Sequence, residues 1–467
     1  MTDFDRYLSP FTWRYGTEPM KHLWSERHKR ILWRLIWVSL AEVQAEYGIV
    51  SSEQAADLRA HMDDVDMTRS LAIEQEIQHD LMAEIRVFAD QAKLGGGVLH
   101  LGATSMDVED NADALRLRSS LELILDELES LLDIFAGLIL HYADTPLIAL
   151  THLQPAEPST LGYRLALYAQ DLLEDLRHIQ FEHNEIRGKG FKGAVGTGAS
   201  YAELIGLDNL PGFEEKLSGK LGVKFFPVAG QTYPRKQDYT ILAALAGLGQ
   251  SLYKIAFDLR VLQSPTLGEL SEPFGSRQVG SSAMPFKRNP IRAEKIDSLG
   301  RYLAGLPRVA WDNAAHSLLE RTLDDSASRR IVLPEAFLAA DEMLKTAAEI
   351  FSDLQVDTKA IQRNLAVYGP FAATERILMA AVKAGADRQH MHERIRAHSM
   401  KAWETIQAGE PNPLEDLLAG EGDLTQFIRA EQVHRLMDFR SYLGDAPQRA
   451  RQLAASIHEA IKQKAGT

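Results

Sequence analysis

The residues able to do chemistry in this chain fall into five short polar islands set into long apolar-patterned stretches. The most heavily loaded is Gly280-Ser281-Ser282-Ala283-Met284-Pro285-Phe286-Lys287-Arg288-Asn289-Pro290, with two adjacent hydroxyls followed by a lysine and an arginine. Its glycine and prolines predict a loop. Asn289 followed by Pro290 reads as a helix N-cap and first helical residue, so the loop should feed into a helix over 290–305. A hydroxyl near a cation in front of a helix can act as an activated base or as part of an anion site. The plain alternative is a surface loop that carries serine and lysine for solubility.

The other islands offer acids, bases and anion ligands. In Gln78-His79-Asp80 the aspartate could orient the imidazole, although a lone helical histidine is more commonly a satisfied core or surface residue. His100 to Ser105 is a glycine-containing turn with Thr104 and Ser105 at its end, equally readable as a capped helix connection. Thr151-His152-Leu153-Gln154-Pro155-Ala156 places a histidine and a glutamine where a long helix should start, because Pro155 forbids simple continuation from the left. A helix N-terminus there favours a neutral imidazole and bound anions. Arg321, Arg329 and Arg330 follow Glu320 around a helix start expected at Ser326, a set that suits phosphate or carboxylate. Paired with Asp324 and Asp325, the same residues could be only a salt-bridged surface.

Two patterns are weaker. Gly193-Ala194-Val195-Gly196-Thr197-Gly198 follows no expected strand, which argues against a dinucleotide site. His390 and His392 alternate along a helical stretch and point apart, and no HExxH occurs, so no metal is expected.

Long helices must position these islands. Helical periodicity predicts helices over 26–47, 68–92, 110–143, 157–188, 236–262, 289–317 and 326–354, with shorter ones after 356, where Gly369-Pro370 is a break. Residues 1–25 read as an irregular lead-in, and the glycine-rich interval 190–235 as room for a short hairpin. Several of these helices are far longer than the globular mean of ~11–12 residues, and little strand-like alternation separates them. The expected fold is therefore all-α, with an N-terminal helical domain over 1–108, a central long-helix bundle over 109–356 and a C-terminal helical domain over 357–467.

Composition narrows the function. A chain of 467 residues with a formal charge of −14 is poorly suited to sequence-independent nucleic-acid binding, which needs a basic face. Any anionic substrate must then meet a local cluster of arginine and lysine. The absence of cysteine removes thiol nucleophiles, disulfides and Cys-ligated zinc. Residues 1–6 lack the layout of a signal peptide, and no uncharged apolar run reaches ~18 residues. A cytoplasmic protein without a membrane span is expected.

The loop 280–290 resembles the signature of the fumarase/aspartase superfamily. Thr104-Ser105 and Thr151-His152-Leu153-Gln154-Pro155, each before a long helix, match that superfamily's other regions. Within it, Glu320-Arg321-Thr322-Leu323-Asp324-Asp325-Ser326 resembles the adenylosuccinate lyase family. So do Gln231-Thr232-Tyr233-Pro234-Arg235-Lys236, Arg14-Tyr15 and the stretch 336–341. The resemblance runs from about Tyr7 into the C-terminal region and weakens after about residue 400. It implies three all-α domains, a twenty-helix core in a homotetramer with shared active sites, no cofactor, and β-elimination of fumarate from succinylated purine nucleotides and ribotides.

By that resemblance Ser281 is the general base and His152 the general acid, assisted by His79, with Lys287 stabilising the serine alkoxide. Thr104, Ser105, Lys287 and Asn289 would hold the succinyl carboxylates, and Gln231 would sit nearby. Arg14, Tyr15, Arg321, Ser326 and Arg330 would hold the nucleotide end, with Gln78, Asp80 and Lys295 also at the substrate. Three positions depart from the common pattern: Gln78 and Lys295 stand where relatives often carry arginine, and Gly198 where they often carry glutamine. The Lys295 exchange would lose bidentate geometry. A lyase of the superfamily acting on another substrate and a non-catalytic protein on the same scaffold are the rivals. The Arg321–Ser326 motif speaks against the first, and intact Ser281, His152 and Lys287 against the second.

Overall fold

A computed structural model describes residues 4–465, and helices dominate it. Seven helices matter most for the site: α1 (Glu26–Glu46), α2 (Asp80–Gln91), α3 (Ser105–His141), α4 (Leu161–Glu185), α5 (Lys236–Leu262), α6 (Ile291–Ala315) and α7 (Asp324–Phe351). The all-α expectation holds. Among the described residues, strand is confined to one hairpin, β1 (Pro146–Thr151) with β2 (Gln154–Thr160), and two pairs of two-residue strands.

The chain forms two compact units. The first comprises Met1–Leu128, Asp175–Gln250 and Ser298–Lys345; the second comprises Glu129–Glu174, Ser251–Asp297 and Thr346–Thr467. In the first unit α3 buries Leu117, Leu121, Ile124 and Leu128, spaced at threes and fours as one apolar face. Each such side chain contributes on the order of 1.5–3 kcal/mol by leaving water. Truncating Leu121 to alanine would cost ~2–5 kcal/mol, because the cavity left behind collapses only in part. α1 begins at Ser25, whose hydroxyl accepts the His28 N–H, and it ends before Gly48, which adopts φ 72° as the stop signal requires.

In the second unit the helix Thr358–Lys383 runs straight through the break expected at Gly369-Pro370. The glycine serves packing instead: a Cβ there would lie 2.5 Å from the Phe439 ring. A C-terminal cluster that includes Ile377, Met391, Leu414, Leu418 and Val433 forms the local core. Two helices, α5 and Thr358–Lys383, are long and apolar enough to cross a membrane by composition alone; half of the apolar window of α5 is already buried in the protein.

Several sequence expectations change. The lead-in contains two short helices, Pro10–Trp13 and Glu18–Leu23, each opened by a Ser or Thr cap with proline in its first turn. The interval 190–235 contains no hairpin among its described residues. It has the helices Ala199–Ile205 and Leu210–Leu221, and Arg187–Gly188 pairs in parallel with Lys224–Phe225. Its glycines serve close approach, since a Cβ on Gly196 would sit 1.9 Å from the Ala229 carbonyl oxygen. The hairpin lies instead at 146–160, where β-branched residues are few and the sequence signal for strand is correspondingly weak.

Candidate active site

The predicted 68–92 helix breaks into Met67–Ile77 and α2, and the break is where the first polar island lies. Gln78 adopts left-handed φ 56°, and its amide donates to the Gln75 carbonyl at 2.8 Å. His79 becomes the N-cap of α2, with Nδ1 accepting the Met82 N–H at 3.4 Å. That contact assigns the proton of the neutral ring to Nε2. Asp80 then binds Arg330 Nη2 at 2.8 Å. Burial works to raise the Asp80 acid, but the Arg330 and Lys29 charges outweigh it and leave Asp80 below the usual carboxylate range.

Thr104 and Ser105 stand at the start of α3. Asp107, fully buried, accepts the Thr104 N–H at 3.0 Å in a capping arrangement, and it also receives Lys189, the Tyr201 hydroxyl and the N–H groups of Lys192 and Gly193. α7 begins at Asp324, two residues ahead of the expected Ser326. The Asp324 N–H is taken by Thr322 Oγ1 instead. The arginines of this island divide between two tasks. Arg329 turns into the core, donating to Asp238 at 2.7 Å and to the Tyr233 hydroxyl at 2.7 Å. Arg321 reaches Asp325 at 2.8 Å, and Asp325 is in turn held by Arg235 at 2.5 Å. The plain reading of a surface paired with Asp324 and Asp325 fits Arg321 alone, since Arg329 pairs in the core with Asp238 and Asp113 and Arg330 pairs with Asp80.

These elements enclose a cleft of about 730 Å³ in the first unit, lined by Gln78, His79, Asp80, Thr104, Ser105, Gln231, Arg321, Ser326 and Arg330. These nine of its fifteen lining residues are ones the sequence singles out. Gln231 is fixed by its N–H to the Glu320 carbonyl at 3.0 Å. Arg14 and Tyr15 belong to the same unit but are not among the lining residues; Arg14 stacks over Trp13 and Tyr15 meets Phe11 edge-on. Gly198 caps the Ala199–Ile205 helix at φ 69°, a conformation that a glutamine would adopt only with strain.

The second unit carries His152, Ser281, Lys287, Asn289 and Lys295. His152 does not start a helix, so the dipole argument for its neutrality falls away. It sits at the tip of the β1–β2 hairpin, where Thr151 pairs with Gln154 and the two turn residues His152 and Leu153 have φ 55° and 58°. Two consecutive left-handed residues make a type I′ turn, normally built from Asn and Gly. Holding histidine and leucine there costs on the order of 1–2 kcal/mol per residue, the kind of strain found at functional positions. The hairpin projects an exposed imidazole, and α4 starts only at Leu161.

The Ser281 loop is closed on itself. Asn289 Nδ2 donates to the Gly280 carbonyl at 3.0 Å, and a Cβ on Gly280 would lie 2.0 Å from the Lys287 carbonyl oxygen. Ser281 Oγ accepts the backbone N–H groups of Ala283 at 3.3 Å and Met284 at 3.1 Å. Asn289 is therefore not the N-cap of the next helix. α6 starts at Ile291, and Glu272 takes over the capping: its carboxylate accepts the N–H groups of Arg292 and Ala293 at 3.0–3.2 Å. Lys295 lies on α6 itself.

Comparison with known proteins decides the family. A family model described as Lyase matches residues 17–305, and one described as adenylosuccinate lyase C-terminus matches residues 370–453. An adenylosuccinate lyase of Saccharomyces cerevisiae is 38% identical, covering 96% of this chain and 94% of its own. One from Schistosoma mansoni is 41% identical with 90% and 89% covered, and one from Archaeoglobus fulgidus is 32% identical with 97% and 100% covered. The chain belongs to the adenylosuccinate lyase family. It is a lyase, and its fold is shared with a fumarate lyase from Mesorhizobium sp. BNC1 at TM-score 0.84 and 24% identity, covering 96% of this chain and 99% of that one. A 3-carboxy-cis,cis-muconate lactonizing enzyme from Pseudomonas putida matches at TM-score 0.86 and 23% identity, with 97% and 99% covered.

Sequence reasoning missed three residues at or beside this candidate site. Asp107 was findable, since an acid three residues after Thr104 is a capping signal. Asp325 sat inside the singled-out island, but its partner Arg235 is distant in sequence. Glu109 lines the cleft without any motif to mark it.

Proposed function

We propose that this chain splits adenylosuccinate into AMP and fumarate, and acts likewise on succinylaminoimidazole carboxamide ribotide. The observation that carries the reading is the first-unit cleft. In an acidic protein, Arg321 and Arg330 converge with Ser326, Thr104, Ser105 and Gln231 to provide the local cationic and hydroxyl-rich cradle that a phosphate and two carboxylates require.

In this reading the Ser281 alkoxide removes a proton from the carbon beside a carboxylate of the succinyl group, building a dianion. The electron pair then expels the amine nitrogen, which takes its proton from His152. A serine hydroxyl ordinarily holds its proton too tightly for this work. The N–H groups of Ala283 and Met284, already directed at Oγ, favour the alkoxide, and Lys287 supplies positive charge from the same loop. Strain at the hairpin tip fixes the direction in which His152 is presented. We further place the protein in the cytoplasm as a homotetramer with shared active sites, in which Arg14 and Tyr15 complete the nucleotide end. The division into 1–108, 109–356 and 357–467 belongs to the same proposal.

An ultraviolet assay of the purified protein with adenylosuccinate tests the reading, and fumarate and AMP should appear together. Turnover of argininosuccinate with adenylosuccinate left intact would assign the cleft to another lyase of the superfamily.

A further inference from the structure

Glu109 is an unexpected group in a cleft for anions. It projects from α3, half-buried, and lines both the 730 Å³ cleft and an adjoining pocket of about 90 Å³. The acids around it are all engaged. On α1, Glu26 binds Lys29 and Arg30, each at 2.7 Å. On α2, Asp80 binds Arg330. On α3 itself Asp110 binds Arg235 at 3.0 Å, while Asp113 binds Arg329 at 3.1 Å and Arg116 at 3.3 Å. On α7 Asp325 binds Arg321 and Arg235. Among the described residues, no cation or N–H group reaches the Glu109 carboxyl within bonding distance.

An unpaired carboxylate beside the phosphoryl end of a ligand would repel it, whereas a neutral acid can donate to it. We propose that Glu109 is a ligand-contacting residue held as the neutral acid, donating its proton in a hydrogen bond to the phosphoryl group beside Arg321, Ser326 and Arg330, and weakening that binding when it ionises. Burial, and then the Asp80, Asp113 and Asp110 charges, push this acid up to about 8, with Lys29 opposing them weakly. The inference rests on the nucleotide reading of the cleft. It makes phosphoryl affinity a property that fails on the alkaline side of neutrality. No proton is lost or gained in the bound complex below the transition; above it, the ligand must meet one more negative charge.

The test is binding of AMP by calorimetry from about pH 7, where a phosphate monoester is already largely dianionic, to about pH 9.5. Affinity of the native protein should fall about tenfold or more across the transition, the scale of one charge-assisted hydrogen bond replaced by repulsion. Glu109→Gln, which cannot ionise, should show no such fall. A flat profile in the native protein, or an equal fall in both proteins, overturns the proposal; the native profile alone decides it should the variant not fold. If AMP fails to bind but inorganic phosphate binds with the same pH break, the nucleotide reading fails while the Glu109 inference stands. If neither probe binds at any pH, both fall.

Discussion

The cleft of the first unit and the two projections of the second hold their functional groups by opposite means. In the cleft, charged side chains are held by other charges: Asp80 holds the exposed Arg330, and the buried Asp325 holds Arg321 while leaning on Arg235. In the second unit the backbone does the holding. His152 is fixed by two left-handed residues at a hairpin tip, and Ser281 by two peptide N–H groups in a loop closed by Asn289. Buried ion pairs lose much of their attraction to desolvation, so the first arrangement adds little stability for its complexity. It does fix where positive charge stands, which is what recognition of a polyanion needs. The second arrangement leaves the His152 ring exposed and Ser281 half-buried beneath the N–H groups of Ala283 and Met284. In the proposed reading, recognition rests on side-chain ion pairs in one unit and proton transfer on backbone-held groups in the other.

That contrast can be broken by substitution. The largest effect should come from His152→Ala. Turnover of adenylosuccinate should fall by ~10²–10⁴, the usual contribution of a positioned general acid, with little change in the affinity for AMP. Steady-state kinetics beside calorimetric binding reads both quantities, and a loss confined to binding would move His152 to the recognition side. Next in size is Arg330→Ala. Nucleotide affinity should drop ~10–100-fold for the loss of a charge-assisted contact, while turnover at saturation is much less affected. An unchanged affinity would mean that Arg330 serves only to neutralise Asp80. Smaller still, Asp325→Asn should raise KM by about fivefold to tenfold by releasing Arg321, leave kcat nearly as it was, and lower the melting temperature because Arg235 loses a buried partner. A lower melting temperature with KM unmoved would reduce Asp325 to a structural residue.

The contrast also explains what could be read from the sequence. Long helices were legible because apolar spacing over more than thirty residues, as in α3, has few competing explanations. Every cleft residue named from the sequence is found in one place because those islands sit at helix starts or breaks, which caps and glycines mark locally. His152 was misplaced because its hairpin breaks the local rules. The turn is built from histidine and leucine where Asn-Gly would announce it, and β2 contains two prolines. The capping of α6 by Glu272 was hidden for a different reason, since the carboxylate comes from beyond the loop and only tertiary structure brings it to Arg292 and Ala293. The same holds for Asp325 with Arg235, and for Glu109, whose unusual position lies in having no partner. Local chemistry could be read from sequence, and long-range electrostatics could not.

The most direct test of the division between recognition and proton transfer is a pair of measurements on one preparation of Ser281→Ala. Its equilibrium dissociation constant for adenylosuccinate should stay within about threefold of the native protein's value for AMP or unreacted substrate, while single-turnover release of fumarate slows by ~10³ or more. Near-normal fumarate release, or a loss of substrate binding as large as the loss of rate, would contradict the account.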